Sequence, residues 1–250
     1  MIRFTVFYFI LISLFCFNNL FSQDNGTPDE LKQADQFIEA GNYNEALVVL
    51  RNYVFSNPTN IEAQEKKITV LLKLDREKDA AKDIDDLVKM YPTNPEYYYL
   101  KAVLNFQKEK YVKAIENFDK AIELHMPNAY LYKVYLNRGM SHFFLQDFEL
   151  AESDFNTVIA DEPKNGAAYH GLGMVKYEQH EYEEAVKAFQ KALSFDEKNA
   201  ITHFNMAMSY FRLDQKDNAC YHFNRSCALG NRNACKLVMM ECAQKANLTK

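Results

Sequence analysis

A helical pattern runs through Tyr182-Glu183-Glu184-Ala185-Val186-Lys187-Ala188-Phe189-Gln190-Lys191-Ala192-Leu193. Its apolar residues recur every three or four positions, which places them on one face of an α-helix. The segment therefore predicts an amphipathic helix that buries the face carrying Ala185 and Phe189.

The same pattern returns along the chain at nearly constant spacing. Six alanines lie 34, 34, 37, 34 and 34 residues apart, and a large apolar residue follows each of them after four positions. A period of this length predicts a repeat protein, because each unit can bury its apolar face only against its neighbours. The alanines are Ala46, Ala80, Ala114, Ala151, Ala185 and Ala219, and the residues four positions later are Leu50, Ile84, Phe118, Phe155, Phe189 and Phe223. Three positions before the alanines stand Tyr43, Glu77, Tyr111, Phe148, Tyr182 and Lys216, four of which are aromatic.

This pattern resembles the tetratricopeptide repeat, a unit of two helices joined by a short turn. The best copy is 166–199, where Tyr169, Leu172, Gly173, Tyr182, Ala185, Phe189 and Ala192 occupy the positions that define the repeat. The resemblance implies an all-α fold, a right-handed α-solenoid of six helix-turn-helix units with a carboxyl-terminal capping helix. The units are 27–60, 61–94, 95–128, 132–165, 166–199 and 200–233, and the capping helix and tail are 234–250. Residues 129–131 are expected to lengthen the first helix of the fourth unit at its start.

Small residues are predicted where the two helices of a unit cross. Gly139 and Gly173 on first helices would face Ala151 and Ala185 on second helices, which lets the two backbones approach closely. The phenylalanines four positions after the alanines would then fill the seam with the next unit.

The composition of the 250 residues agrees with a helical protein. There are only 7 Gly and 6 Pro, and 48% of the residues are hydrophobic, which excludes a collagen-like or largely disordered chain. The formal net charge is −5, with 29 basic and 34 acidic residues. A mildly acidic chain of this kind is a poor nucleic-acid binder.

The amino terminus has the features of an export signal. Arg3 is followed by an apolar run from Phe4 to Phe17, and small Ser22 precedes a polar segment. These features predict a secretory signal peptide at 1–22, cleaved after Ser22, and a short linker at 23–26. The ending Phe21-Ser22-Gln23 resembles signal peptides of the Bacteroidetes group and implies a periplasmic or extracellular protein without stable membrane insertion after cleavage. An uncleaved membrane anchor is the alternative interpretation of the same segment.

Motifs of the common enzyme classes are missing from the sequence. It has no phosphate-binding Gly-rich loop, no Gly-x-Ser-x-Gly, no His-Glu-x-x-His and no Cys-x-x-Cys. Its six histidines show no ligand-like spacing; they are His125, His142, His170, His180, His203 and His222. We therefore expect a protein that is not an enzyme and that binds no cofactor or metal.

The resemblance also implies a concave groove lined by the first helices of the units. Aromatic and methionine side chains at its positions would form an apolar strip in units three to six, unless these residues are ordinary core. They are Tyr99, Phe106, Met140, Phe143, Phe144, His170, Met174, Tyr177, Phe204, Met208 and Phe211. The first functional interpretation is an exported, non-catalytic adaptor that binds a segment of a partner protein there. The alternative is a carrier of a small apolar ligand such as an acyl chain.

Four cysteines near the carboxyl terminus have a spacing that predicts their pairing. Cys220 and Cys227 lie seven residues apart on one helix, and Cys235 and Cys242 lie seven apart on the next. Facing positions in an antiparallel hairpin have a constant sum, and 227 plus 235 equals 220 plus 242. The predicted disulfides are thus Cys220–Cys242 and Cys227–Cys235. Four reduced cysteines that serve as small apolar residues are the alternative.

Overall fold

The structure is a computed structural model that describes residues 28–242. Within that range it contains thirteen α-helices, a final π-helical turn and no strand. The chain forms two compact units, the first ending at Pro127 and the second beginning at Asn128. The first contains α1 (Asp29–Glu39), α2 (Tyr43–Ser56), α3 (Ile61–Lys73), α4 (Glu77–Met90), α5 (Pro95–Gln107) and α6 (Tyr111–Glu123). The second contains α7 (Asn128–Leu145), α8 (Phe148–Asp161), α9 (Gly166–Glu178), α10 (Tyr182–Leu193), α11 (Ala200–Arg212), α12 (Lys216–Ala228), α13 (Arg232–Leu237) and the π-helical turn Val238–Cys242.

Within each compact unit, consecutive helices pack against one another as helix-turn-helix pairs. This arrangement confirms the predicted all-α solenoid of repeated helix pairs. The predicted signal peptide at 1–22, the linker at 23–26 and the tail after Cys242 lie outside the described residues. Among the described helices, none combines the length and the apolar character needed to cross a membrane.

The repeated aromatic position is the first residue of the second helix in each repeat. Helices α2, α4, α6, α8, α10 and α12 begin at Tyr43, Glu77, Tyr111, Phe148, Tyr182 and Lys216 respectively. Two residues earlier, the backbone adopts a positive φ at Gly41, Asp75, Glu109, Gln146, His180 and Asp214. At each of these turns the next residue donates its N–H to a carbonyl five residues back, as Lys110 does to Asn105 over 2.8 Å. These are Schellman turns, and they fix the same reversal of the chain in all six units.

Asparagine caps the start of four first helices. The side chain of Asn60 accepts a hydrogen bond from the N–H of Ala63, and Asn165 accepts one from Ala168. Asn94 and Asn199 cap α5 and α11 in the same manner. Each side chain satisfies a helix N–H group that has no partner within the helix.

The seams between helices are filled by the repeated phenylalanines. Phe118, Phe155, Phe189 and Phe223 are at most 1% exposed. A Cβ atom added at Gly139 would lie 3.0 Å from the Phe155 ring and 3.3 Å from the carbonyl oxygen of Ala151, which agrees with the expected close crossing. At Gly173 the nearest atoms belong to the ring of Phe189. The small residues therefore make room for these rings as well as for the opposite backbone.

The carboxyl-terminal cap differs from the prediction in its bounds. Helix α13 begins at Arg232, inside the range assigned to the sixth unit, because Asn231 caps it through the N–H groups of Asn233 and Ala234. After Leu237 the helix continues as the π-helical turn Val238–Cys242. At the other end of this compact unit, α7 begins at Asn128 and includes residues 129–131, so the first helix of the fourth unit is lengthened as expected.

Candidate functional site

The three first helices of the second compact unit lie side by side, with α9 in contact with both α7 and α11. Nine of the eleven predicted groove residues lie on them, and we call this set the first-helix surface. Eight of the nine side chains are half-buried, and Phe211 is 42% exposed. The set is Met140, Phe143, Phe144, His170, Met174, Tyr177, Phe204, Met208 and Phe211.

Packing onto the second helices holds these side chains in place. Phe143 lies 5.9 Å from Phe148 between ring centroids, and Tyr177 lies 5.4 Å from Tyr182. Phe204 packs edge-on against Phe223 at 5.8 Å. Each inner partner is the repeated aromatic at the start of a second helix or a repeated phenylalanine. The first-helix surface therefore consists of apolar groups that are fixed by the core and still meet solvent.

Phe211 is more exposed than its equivalents for an identifiable reason. In units three to five the same position packs across the turn onto the aromatic that starts the second helix, as Phe143 does on Phe148. In the sixth unit that position is Lys216. Phe211 has no ring to pack on there, and its side chain stays exposed.

Two predicted groove residues are core residues. Tyr99 is 2% exposed and packs against Phe118 at 6.1 Å, and Phe106 is 7% exposed and packs edge-on against Tyr111 at 5.6 Å. Their assignment to an exposed strip was wrong. Both rings belong to the third repeat and pack on aromatic side chains of its second helix, α6, with almost no surface left to solvent.

His170 forms a polar point within this apolar set. Its Nδ1 lies 2.8 Å from Oγ1 of Thr202, and its ring packs 5.4 Å from that of Phe189. The side-chain nitrogen of Asn205 approaches Nε2 at 3.5 Å. Burial lowers the pKa of His170 to about 4. The imidazole is therefore neutral at neutral pH and connects α9 to α11 through hydrogen bonds.

A cation lies beside the exposed phenylalanine. The Nε of Arg212 donates a hydrogen bond to the hydroxyl of Tyr177 over 3.2 Å, and the guanidinium is exposed. The first-helix surface thus ends in an apolar ring next to a positive charge.

Two histidines that looked unrelated in the sequence form a pair in the sixth unit. The Nδ1 atoms of His203 and His222 lie 2.9 Å apart, and Nε2 of His203 lies 3.0 Å from the carbonyl oxygen of Glu197. Since that carbonyl only accepts, His203 carries its proton on Nε2 and His222 donates from Nδ1. Burial lowers the pKa of His222 to about 4 and also lowers that of His203, and the mutual proximity adds to the effect on His222.

The four cysteines form the two pairs that their sequence spacing predicted. The structure bonds Cys220 to Cys242 and Cys227 to Cys235, with Cα atoms 5.6 Å and 4.7 Å apart. The two bonds connect α12 to α13 and to the π-helical turn that follows it.

A cavity of about 550 Å³ opens on the surface of the first compact unit. Its walls are the loop between α4 and α5 and the loop after α6. It is lined by Met90, Tyr91, Pro92, Thr93, Asn94, Pro95, Glu96, Leu124, His125 and Pro127. Across residues 28–242, no group of three or more His, Cys, Asp or Glu side chains is arranged to hold a metal ion.

Solved structures share this fold at low sequence identity. The crystal structure of PilW, a widely conserved type IV pilus biogenesis factor, has a TM-score of 0.70 at 18% identity and covers 86% of this chain and 100% of that chain. The Cut9–Hcn1 hetero-tetramer of APC/C has a TM-score of 0.69 at 19% identity, covering 90% of this chain and 44% of that chain. YrrB, a TPR protein with an unusual peptide-binding site, has a TM-score of 0.54 at 16% identity, covering 74% and 94%. Identities this low show the fold alone.

Family models agree with the repeat pattern. Models described as tetratricopeptide repeat match residues 37–104, 95–124, 132–165 and 202–227, and one described as TPR repeat matches 173–214. Among curated proteins, no relative matches the sequence. The chain therefore carries tetratricopeptide repeats over most of the part that the structure describes.

Proposed function

We propose that this protein is an exported, non-catalytic scaffold that binds a segment of a partner protein on the first-helix surface. The observation that carries the proposal is the position of that surface on three first helices that lie side by side. Apolar side chains from three adjacent helices are half-buried, held by the core, and end in the exposed ring of Phe211. Contiguous apolar side chains that meet solvent in this way mark interaction sites.

Rigidity supports binding of this kind. The rings of Phe143, Tyr177 and Phe204 are already fixed by their partners on the second helices. Little side-chain freedom is lost when a partner covers them, so more of the buried area contributes to affinity. Met140, Met174 and Met208 add flexible side chains that adapt to different apolar partners.

The relatives in fold are consistent with an interaction role. Tetratricopeptide-repeat proteins typically bind protein or peptide partners, and YrrB is described as having a peptide-binding site. Export is supported by the amino-terminal sequence and by two cysteine pairs at bonding distance, which suit an oxidising compartment.

The test uses two phenylalanines that differ in location. Phe211→Glu puts a charge on the first-helix surface, and Phe55→Glu puts the same charge on α2, where Phe55 is 89% exposed. Both variants should keep the circular dichroism and melting temperature of the wild type, because neither ring is buried. Proteins captured from the native envelope fraction, quantified by mass spectrometry, should be retained by the wild type and Phe55→Glu and reduced at least tenfold by Phe211→Glu.

Equal capture by all three proteins would overturn the proposed site. Native mass spectrometry of the purified wild type then distinguishes a bound peptide from a bound lipid, and a lipid would replace the scaffold by an apolar carrier.

A further inference from the structure

The cavity in the first compact unit contains a carboxylate without a cationic partner. Glu96 is half-buried at the second position of α5, and it makes no ion pair with any residue in 28–242. Its repeat equivalent, Glu62 on α3, is more exposed and pairs with Lys66 at 3.1 Å. Most half-buried carboxylates are paired, because burial penalises an isolated charge.

The surroundings of Glu96 provide a hydrogen bond from Asn94 and the partial positive charge of the α5 amino terminus, and no cationic side chain pairs with it. Asn94 accepts the N–H of Glu96 over 2.9 Å, and its side chain also hydrogen-bonds to the carboxylate. Burial raises the pKa of Glu96, and the Asn94 hydrogen bond offsets part of that rise. An ionised carboxylate in this setting gains stability from an arriving cation.

The remaining lining of the cavity suits the carbon chain of such a cation. Tyr91 is 47% exposed and Met90 is 63% exposed, although both are large apolar side chains. Leu124, Pro95 and Pro127 complete an apolar wall. An exposed aromatic ring near a carboxylate is a common arrangement for binding ammonium groups, because the ring face attracts positive charge.

The cavity is bounded by loops held in fixed positions. In the first loop the N–H of Asn94 donates to Tyr91 over 3.1 Å, and the hydroxyl of Tyr98 donates to the carbonyl of Pro92 over 3.1 Å. In the second loop the N–H of Met126 donates to Ala121 over 3.0 Å, and the Met126 side chain is 3% exposed. The space between the two loops is about 550 Å³ and is largely open to solvent, so a bound ligand would be covered on one side.

We propose that this cavity binds an alkylammonium group, with the Glu96 carboxylate pairing the charge, the Tyr91 ring covering it and the apolar wall holding the carbon chain. The ligand is either a lysine side chain of another protein or a free alkylamine. The site is independent of the first-helix surface, since all of its residues lie in the first compact unit.

The experiment is an NMR titration of the full mature chain at pH 8 with n-butylammonium chloride, and with 1-butanol as the neutral probe of similar size. With the cation, saturable shifts are expected at the backbone amides of the residues in the two loops that carry an N–H group: Tyr91, Thr93, Asn94, Glu96, Leu124, His125 and Met126. The neutral probe should bind at least tenfold more weakly. Binding of 1-butanol with equal affinity, or shifts spread over the whole chain, would overturn the proposal.

Three variants test which side chains bind the ammonium group. Glu96→Gln should weaken butylammonium binding at least tenfold, and Tyr91→Leu should weaken it severalfold. Glu62→Gln, at the equivalent position of the preceding repeat, should leave it unchanged. If Glu96→Gln binds like the wild type, the carboxylate is not the recognition element and the proposal fails.

The source of the ammonium group is distinguished by a second titration. The peptide acetyl-Gly-Lys-Gly-amide should bind more tightly than n-butylammonium if the cavity receives a lysine of a partner protein. Tighter binding of the free amine assigns the cavity to a small metabolite instead. If neither ligand gives a saturable response, the site does not exist.

Discussion

The ring of Phe155 occupies the space that a side chain would need at Gly171. A Cβ atom added there would lie 2.5 Å from Cζ and 2.6 Å from Cε1 of that ring. Phe155 is fully buried on α8, and Gly171 lies on α9 in the next repeat. The absence of a side chain at 171 therefore allows two consecutive repeats to pack at this distance.

Gly171→Ala is expected to lower the free energy of unfolding by about 1–3 kcal/mol, because the ring has to move within a packed core. Helix propensity alone favours alanine by about 1 kcal/mol, so a loss of stability isolates the steric effect. Urea denaturation measures it. Gly166→Ala, at the first residue of α9, is the control, since the nearest atom to its Cβ would lie at 3.4 Å. Equal stability of the two variants would contradict the steric explanation.

Glu109 adopts a conformation that suits glycine. Its φ is 56° in the turn between α5 and α6, where the equivalent residue of the first repeat is Gly41. A residue with a Cβ atom is strained there by about 1 kcal/mol. Glu109→Gly should therefore raise the free energy of unfolding by up to about 1 kcal/mol, after the entropic cost of glycine.

Thermal or urea unfolding checks this against Glu109→Ala, which removes the same carboxylate and keeps the Cβ atom. No gain is expected for alanine. A gain of the same size in both variants would show that the charge of Glu109, and not its backbone, limits stability.

The architecture could be predicted because it depends on spacing. The 34-residue period placed the second helices, and the aromatic position proved to be their first residue, as at Tyr182 and Phe148. The position of the Schellman turns was less visible, since only Gly41 among the six turn residues between paired helices is a glycine. Residues other than glycine complete the same hydrogen-bond pattern at the cost of a small strain, so these turns leave little trace in composition.

Exposure could not be predicted from spacing. Phe106 and Phe211 hold the same position in their repeats, yet one is 7% and the other 42% exposed. The difference depends on whether the second helix begins with Tyr111 or with Lys216. The exposure of one side chain is therefore set by a second residue, and the residue type at one position does not predict it. The bidentate ion pair of Arg138 with Asp154, at 2.9 and 2.6 Å, is another contact between two particular side chains, 16 residues apart, that the repeat spacing does not predict.

Acid should weaken the protein through the His203–His222 pair. The folded pKa of His222 is lowered to about 4, below its ordinary value of 6.5, so the unfolded chain binds more protons between these values. The stability of the neutral pair is complete above pH 6.5 and is lost as the pH falls towards 4. The expected loss from His222 is about 1 kcal/mol between pH 7 and pH 5, allowing for its partial exposure to water.

His222→Phe tests the assignment, because phenylalanine keeps the stacking on Tyr210, whose ring lies 5.7 Å away, and cannot take up a proton. Its free energy of unfolding should fall less steeply with decreasing pH than that of the wild type. His125→Phe, at an exposed position, is the control and should keep the wild-type slope. Parallel curves for the wild type and His222→Phe would assign the acid sensitivity to other groups.

The two disulfides are expected to form in the native compartment and to hold the last repeat to its cap. Within residues 28–242, α13 and the π-helical turn make their main contacts with α12 and with each other, so they gain more from a covalent link than a helix packed between two repeats would. Closing the loop of sequence separation 22 between Cys220 and Cys242 contributes on the order of 3 kcal/mol in the chain-entropy model, and the nested bond at separation 8 adds less.

Trypsin separates the four cysteines into different peptides, since it cuts at Lys216, Arg225, Arg232, Lys236 and Lys245. Non-reducing peptide mapping should show 217–225 linked to 237–245 and 226–232 linked to 233–236. Four thiols that react with an alkylating agent would mean that the cysteines serve as small apolar residues, and the cap would then depend on packing around Phe223 and Ala234 alone.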